Sequence, residues 1–237
     1  MFKHLLYYAK KLFVFKFDDI KSLSSNLKYY INDPTTPQLS IELNIPRGKE
    51  PLPFSVVDFV DPIQNDISLQ AANCYITVFN SIQYTQDKLE NKIKHWAGVN
   101  RLKVIPRAGQ DFNAYYDRRH LKFFFAFDKA ANKIIFTADS ADIVAHELGH
   151  ALLDAMRPDF WSVQSLEIWS FHEAFADISA LLSAMQYDKM LEYILEETKG
   201  NIRESNSLSR LAEEMGNAIS NLTGGQTPFG YLRNAVN

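Results

Sequence analysis

The chain has 237 residues, with 46% hydrophobic residues, 22% charged residues and a formal net charge of −3. This size suits one domain or two small lobes around one cleft, and the composition is typical of a globular protein. The slightly acidic balance argues against nucleic acid as the main partner, and no apolar run reaches the ~18 residues needed to span a bilayer.

The first 19 residues are basic and rich in aromatic side chains. Lysines at positions 3, 10, 11 and 16 interrupt its apolar runs, whereas a signal peptide needs an unbroken apolar core of about seven residues or more. We expect a first helix or strand packed on the body of the protein, with a surface-lying amphipathic segment as the alternative. Because Cys74 is the single cysteine, no internal disulfide can form and a reducing compartment is the simplest interpretation. We therefore expect a cytoplasmic protein, with secretion by another route left open.

An irregular segment and one long helix are predicted for the first third of the chain. Prolines at positions 34, 37, 46, 51 and 53 favour extended, turn-rich chain, with a short strand at 39–45, where apolar residues alternate. Residues 66–96 contain neither proline nor glycine and place apolar residues at helical spacing. We expect one helix there, broken at Gly98.

Strands are predicted next, at 101–106, 120–127 and 133–137. The run 121–127 is strongly apolar, and residues 128–132 supply turn-forming side chains. The last two strands should therefore form a hairpin.

From residue 139 onward the sequence pattern becomes helical. Asp139 or Ser140 can cap a helix that runs to about residue 156, where Arg157-Pro158 ends it, and Asp142 in its first turn favours the positive helix end. After a loop at 159–164, three further helices are predicted at 165–186, 188–199 and 207–220.

Residues 146–150 read His-Glu-Leu-Gly-His. Each helical residue turns by about 100°, so His146 and His150 should lie roughly 40° apart and one turn apart along the axis. Two imidazoles so placed can bind one zinc ion, and Glu147 projects from nearly the same face. The alternative interpretation of this pentapeptide is a polar stripe on a surface helix.

A second acidic pair strengthens the zinc interpretation. Glu173 comes 23 positions after His150, and Asp177 lies four residues further on. Glu173 would complete a set of two histidines and one glutamate with one position left for water, as in catalytic rather than structural zinc sites. Asp177 could accept a hydrogen bond from a ligand histidine and fix its tautomer.

Residues 141–151 and 173–178 resemble the thermolysin-type metallopeptidases, the glutamate zincins. The resemblance implies that His146, His150 and Glu173 are the zinc ligands. It also implies that Glu147 is the general base and that the Asp177 carboxylate orients the first histidine. Residues 113–116, Asn-Ala-Tyr-Tyr, resemble the family's edge strand. This match implies that Asn113, Ala114 and Tyr115 hold an extended substrate, which pairs with them as an added strand of the sheet.

Two groups that the family uses to stabilise the oxyanion are missing. The family has a tyrosine in the loop between the two zinc helices, where this chain has Phe160 and Trp161, and a later histidine, whereas no histidine follows His172 here. Losing one such donor typically costs ~10²–10³ in rate. Activity could be weak and narrow, the chain could continue in a longer form, or other side chains could serve, for which the candidates are Tyr115, Tyr116, His120 and His172.

We expect an α+β, zincin-like fold with a small mixed or antiparallel sheet, active-site helices and a helical C-terminal portion. Residues 1–138 would form the N-terminal lobe and residues 139–237 the helical part of one catalytic unit. The expected function is a peptidase acting on a peptide or protein substrate, with one Zn²⁺ that activates water and Glu147 that accepts its proton. The alternative is a zincin-like regulatory or binding module with little or no turnover, and the oligomeric state stays open.

Overall fold

The protein is a mixed α+β chain in the part that the computed structural model describes. Within that part it has five α-helices and several small sheets, and none of these helices is both long and apolar enough to cross a membrane. The N-terminal segment 1–19 lies outside the described part except for residues 13–15. The described residues are 13–15, 28–42, 58–61, 69–90, 93–225 and 230–236.

The largest described sheet is mixed, which is one of the two forms that the sequence left open. Its strands, in their order across the sheet, are β1 (Phe13–Phe15), β4 (Asp58–Asp61), β5 (Lys103–Ile105), β7 (His120–Phe123) and β6 (Ala114–Tyr116). β5 is parallel to both of its neighbours, whereas β1 and β6 are antiparallel to theirs. Among the described strands β6 has a neighbour on one side only, so its outer edge is available to a ligand.

Three two-stranded sheets complete the described strands. They are β2–β3 (Lys28–Tyr30 and Ser40–Glu42), β8–β9 (Phe125–Asp128 and Lys133–Phe136) and β10–β11 (Arg210–Leu211 and Arg233–Asn234). The strand predicted at 39–45 corresponds to β3, and residues 43–45 lie outside the described part. The predicted hairpin is confirmed by β8–β9, where Asp128 Oδ1 accepts the backbone N–H groups of Ala130 and Ala131 at 2.8 and 3.1 Å.

The prediction of one strand over 120–127 is wrong. The chain changes sheets at Phe124, whose N–H donates to Asn113 O at 3.2 Å and to Thr137 Oγ1 at 2.9 Å. β7 therefore pairs with β6, whereas β8 turns away to pair with β9.

Helix α1 (Leu69–Lys88) ends earlier than the predicted 66–96. Gln86 Nε2 donates to Ile93 O at 2.8 Å, and Ile93 and Trp96 are both buried. The helix ends early because the chain turns back to bury these two apolar side chains in the core. The local sequence pattern does not show this long-range contact.

Helices α2 (Ala141–Met156), α3 (Leu166–Ala184) and α4 (Asp188–Glu197) lie where the sequence predicts them. The predicted capping of α2 is wrong, because neither Asp139 nor Ser140 caps its amides. The Ser140 hydroxyl instead shares hydrogen bonds with the carboxyl groups of Asp142 and Asp33.

The helix predicted at 207–220 is wrong in its first turns, since α5 spans Glu213–Leu222. Asn206 Oδ1 accepts the N–H groups of Leu208 and Ser209 at 3.0 and 3.1 Å, which favours a turn. β10 follows, and Ala212 then adopts a left-handed φ of 57° before the helix begins.

The larger of two apolar clusters among the described residues joins the two predicted parts of the chain. Buried side chains of α1 and β7, such as Ile76 and Leu121, belong to the same cluster as Leu148 and Leu152 of α2. Helix α2, which carries the two histidines, is therefore packed into this core.

Candidate metal centre and cleft

Close packing of α2 on α3 brings the two predicted zinc segments together. A Cβ atom added to Gly149 would lie 2.7 Å from Ala176 Cα and 3.0 Å from Ser179 Cβ. Only a residue without a side chain permits this approach, which explains the glycine between the two histidines.

The side chains of His146, His150 and Glu173 converge on one point. His146 Nε2 lies 3.2 Å from His150 Nε2, and the two Glu173 oxygens lie 3.6 and 3.5 Å from these nitrogens. One candidate ligand atom from each residue lies within 4.8 Å of the others. Two ligands held tetrahedrally at 2.0–2.1 Å from zinc are about 3.3 Å apart, so the spacing of the two nitrogens suits one zinc ion.

A carboxylate lies beside His146, and burial acts on His150. Asp177 Oδ1 lies 2.8 Å from His146 Nδ1, on the side of the ring away from the Nε2 atom that faces His150. Burial, together with the neighbouring His146 and His172, lowers the pKa of His150 to about 3. His150 is therefore neutral near pH 7, as a metal-binding imidazole must be.

Glu147 lies beside the cluster and is buried. Its carboxylate accepts a hydrogen bond from the backbone N–H of Tyr116, and burial raises its pKa to about 7 against the opposing effect of His146. A carboxyl group with this pKa can both accept and return a proton near neutral pH.

The cluster lies in a cleft of about 650 Å³. Residues 113–116 of the edge strand form one wall, and the loop residues Phe160 and Trp161 form another. The C-terminal part of the chain also lines the cleft, through residues 211–212 and 232–233. The predicted substrate residues Asn113, Ala114 and Tyr115 therefore share one cleft with the predicted ligands.

The outer edge of β6 presents backbone groups to this cleft. Hydrogen bonds join β6 to its neighbour at Asn113 and Asp117, so alternation directs the backbone groups of Ala114 and Tyr116 away from β7. The Tyr116 N–H is bound to Glu147. The Ala114 carbonyl makes no hydrogen bond within the described residues and can accept one from a ligand.

Asp154 ties the edge strand and the cleft loop to α2. Its fully buried carboxylate accepts the Tyr116 hydroxyl at 2.9 Å and two Arg118 nitrogens at 2.9 and 3.0 Å. Arg118 Cζ lies 5.4 Å from the ring centre of Trp161. Arg118 therefore has an internal partner in Asp154.

Two of the four candidate oxyanion donors are engaged or distant. The Tyr116 hydroxyl donates to Asp154, and His120 is not among the residues that line the cleft. The Tyr115 hydroxyl accepts from Lys122 Nζ at 3.0 Å and keeps its own proton to donate. His172, the fourth candidate, lines the cleft with its ring centre 5.7 Å from that of His150.

Arg233 of β11 is a site residue that sequence reasoning missed. Its Nη1 donates to Glu173 Oε2, its Nε lies 3.2 Å from Asp177 Oδ1, and its Nη2 lies 3.0 Å from His146 Nε2. No local signal in the sequence indicates its role, because Arg233 is 60 residues away from Glu173. Arg233 reaches Glu173 only through the pairing of β10 with β11.

Comparisons with protein-family models, with curated proteins and with solved structures found no match. The functional interpretation therefore rests on the residues of the cleft and their geometry.

Proposed function

We propose that this protein is a zinc-dependent peptidase with a zincin-like arrangement of α2, α3 and the edge strand. The observation that carries the proposal is the convergence of His146, His150 and Glu173, with ligand atoms within 4.8 Å of one another. Two neutral imidazoles and one carboxylate are a donor set typical of catalytic zinc, and they leave one position for water or substrate. A zinc ion bound there would polarise a substrate carbonyl and lower the pKa of a bound water.

Glu147 is the residue that would move the proton. Its carboxylate is buried beside the ligands and is oriented by the Tyr116 N–H. It would accept a proton from the attacking water and deliver it to the leaving amine, which requires a pKa near the working pH.

The edge strand supports a peptide rather than a small molecule as substrate. An extended chain could pair with the free edge of β6 and donate a backbone N–H to the Ala114 carbonyl. This pairing would place the backbone of the substrate along the wall that ends beside Glu147.

A second candidate function is a zinc-organised binding module with little turnover. Two observations favour it: the loop 159–164 has no tyrosine, and the Tyr116 hydroxyl is already bound to Asp154.

Comparing the natural protein with Glu147→Gln tests the two candidates. We expect equal zinc content by mass spectrometry of the metal, and a loss of peptide cleavage of about 10²–10⁴-fold on a mixed peptide library. Glu167→Gln is the matched control, because Glu167 is exposed on α3 and its change should leave cleavage unaltered. Identical products from the natural protein and Glu147→Gln would contradict the peptidase and favour the binding module.

A further inference from the structure

The backbone around Arg233 is held firmly against the rest of the protein. Leu232 N donates to Leu211 O at 3.0 Å, and Ala235 N donates to Ser209 O at 2.8 Å. A Cβ atom added to Gly216 of α5 would lie 2.5 Å from Tyr231 Cα, so the segment also packs closely on α5. The position of Arg233 beside the cluster is thus set by the fold of the C-terminal segment.

Two carboxylates of α3 orient the guanidinium group. Arg233 pairs with Glu173 through Nη1 and with Asp177 through Nε. Nη2 lies 3.0 Å from His146 Nε2 and 3.2 Å from His146 Nδ1. Because these two distances are nearly equal, Nη2 lies over the face of the ring and leaves the in-plane lone pair of Nε2 free for a metal.

A guanidinium group beside a divalent cation is repelled unless a negatively charged atom lies between them or next to both. Glu173, which pairs with Arg233 and is a candidate ligand, supplies one such atom. An oxygen that becomes negatively charged beside the metal would supply another. The guanidinium group has five N–H donors, and its contacts with Glu173 and Asp177 engage only part of them. Its side chain lines the cleft and is 41% exposed, so a substrate oxygen can reach it.

We propose that Arg233 binds the carbonyl oxygen of the scissile bond and stabilises the negative charge that forms on it. This inference rests on the proposed peptidase function. When water adds to the carbonyl carbon, an electron pair moves onto the carbonyl oxygen and Glu147 accepts the proton that the water loses. The pair returns as the carbon–nitrogen bond breaks, and the amine takes the proton from Glu147. Arg233 acts on the oxygen between these two events.

His172 and Tyr115 are the competing donors in the described part of the cleft, because both line the same cavity. Arg233 differs from them in having a fixed charge and a position over His146, the first ligand. Each assignment predicts that a different variant loses activity: Arg233→Gln, His172→Ala or Tyr115→Phe.

Steady-state kinetics of the zinc-loaded protein tests the proposal. For Arg233→Gln we expect kcat to fall by about 10²-fold with little change in KM, because the interaction forms only as the charge develops. Arg233→Lys should recover part of the loss, and added methylguanidinium should partly restore Arg233→Ala. Asn234→Ala is the control, since Asn234 lies on the same strand and donates to Ser205 Oγ, away from the ligands. Zinc affinity, measured by competition with a chelator, should stay within about threefold in all four variants.

A second measurement does not depend on turnover. A phosphinic peptide carries a tetrahedral anionic group, whereas its parent peptide carries a neutral carbonyl. We expect Arg233→Gln to weaken binding of the phosphinic peptide by about 10²-fold and binding of the parent peptide far less.

The possible results separate the two proposals. Equal weakening for both peptides, a large loss of zinc affinity, or a loss of kcat in His172→Ala but not in Arg233→Gln would overturn the role of Arg233 and leave the peptidase intact. A natural protein that binds no zinc would overturn both. If it binds zinc without cleaving peptides, the peptidase function fails, and the role of Arg233 in catalysis fails with it.

Discussion

The two helices that supply the candidate ligands differ sharply in their surroundings. In α2, 13 of 16 residues are buried, including His146 and Glu147. In α3, 4 of 19 residues are buried, all of them alanine or serine. The exposed side chains of α3 include Leu166, Trp169, Phe171 and Ile178.

This difference shows how the cluster is held in place. α2 is surrounded by apolar core, so its two imidazoles are oriented before any metal binds. α3 contacts α2 through small residues, and the Glu173 side chain is 51% exposed. Its carboxylate contacts Arg233 rather than apolar core, and a bound metal would fix its position.

Equivalent truncations on the two helices should have very different effects on stability. Leu152→Ala in α2 removes a side chain that is 2% exposed, and we expect the free energy of unfolding to fall by about 2–5 kcal/mol. Ile178→Ala in α3 removes one that is 53% exposed, and we expect a change of about 0.5 kcal/mol or less. Urea unfolding followed by circular dichroism measures both. Similar losses for the two variants would show that α3 is covered in solution and would remove the contrast.

The pH dependence of stability tests how deeply the first turn of α2 is buried. Asp142 accepts the Ala212 N–H at 2.8 Å, and burial, with the charge of Asp33, raises the pKa of Asp142 to about 7. Between about pH 4, the pKa of Asp142 in the unfolded chain, and pH 7, the folded protein keeps a proton on Asp142 that the unfolded chain releases. This group's contribution to stability is therefore complete below about pH 4 and is lost as the pH rises through 7, by at most ~1.4 kcal/mol per pH unit.

Asp142→Asn removes that titration. In chelator-treated protein, the stability of the natural chain relative to Asp142→Asn should decrease between pH 5 and pH 8. Asp159→Asn is the control, because Asp159 is exposed, and Arg157 lowers its pKa to below this range. A stability difference that stays constant across the range would show that Asp142 is charged throughout.

Local sequence was sufficient for the elements whose residues interact with near neighbours. The helical spacing of α2 and its stop at Arg157-Pro158 placed both histidines and Glu147 correctly, and the same pattern located Glu173 and Asp177 on α3. The turn at Asp128 is likewise made by a side chain that binds its own neighbouring amides.

The errors arose where distant contacts decide the structure. Burial of Trp96 ends α1 early, the hydrogen bonds of Phe124 divide the predicted strand, and the pairing of β10 with β11 replaces the first turns of a predicted helix. Arg233 depends on that same strand pair. A residue that joins a site only through such a pairing leaves no periodic or motif signal in the sequence.

Zinc titration of the purified protein tests the central claim most directly. The natural protein should bind one zinc ion per chain, and His150→Ala should weaken that binding by more than about 10²-fold, because it leaves two protein ligands. His95→Ala should bind zinc as the natural protein does, since His95 is exposed and does not line the cleft. A natural protein without a zinc site, or a His150→Ala variant with unchanged zinc affinity, would contradict the assignment of His146, His150 and Glu173 as a metal centre.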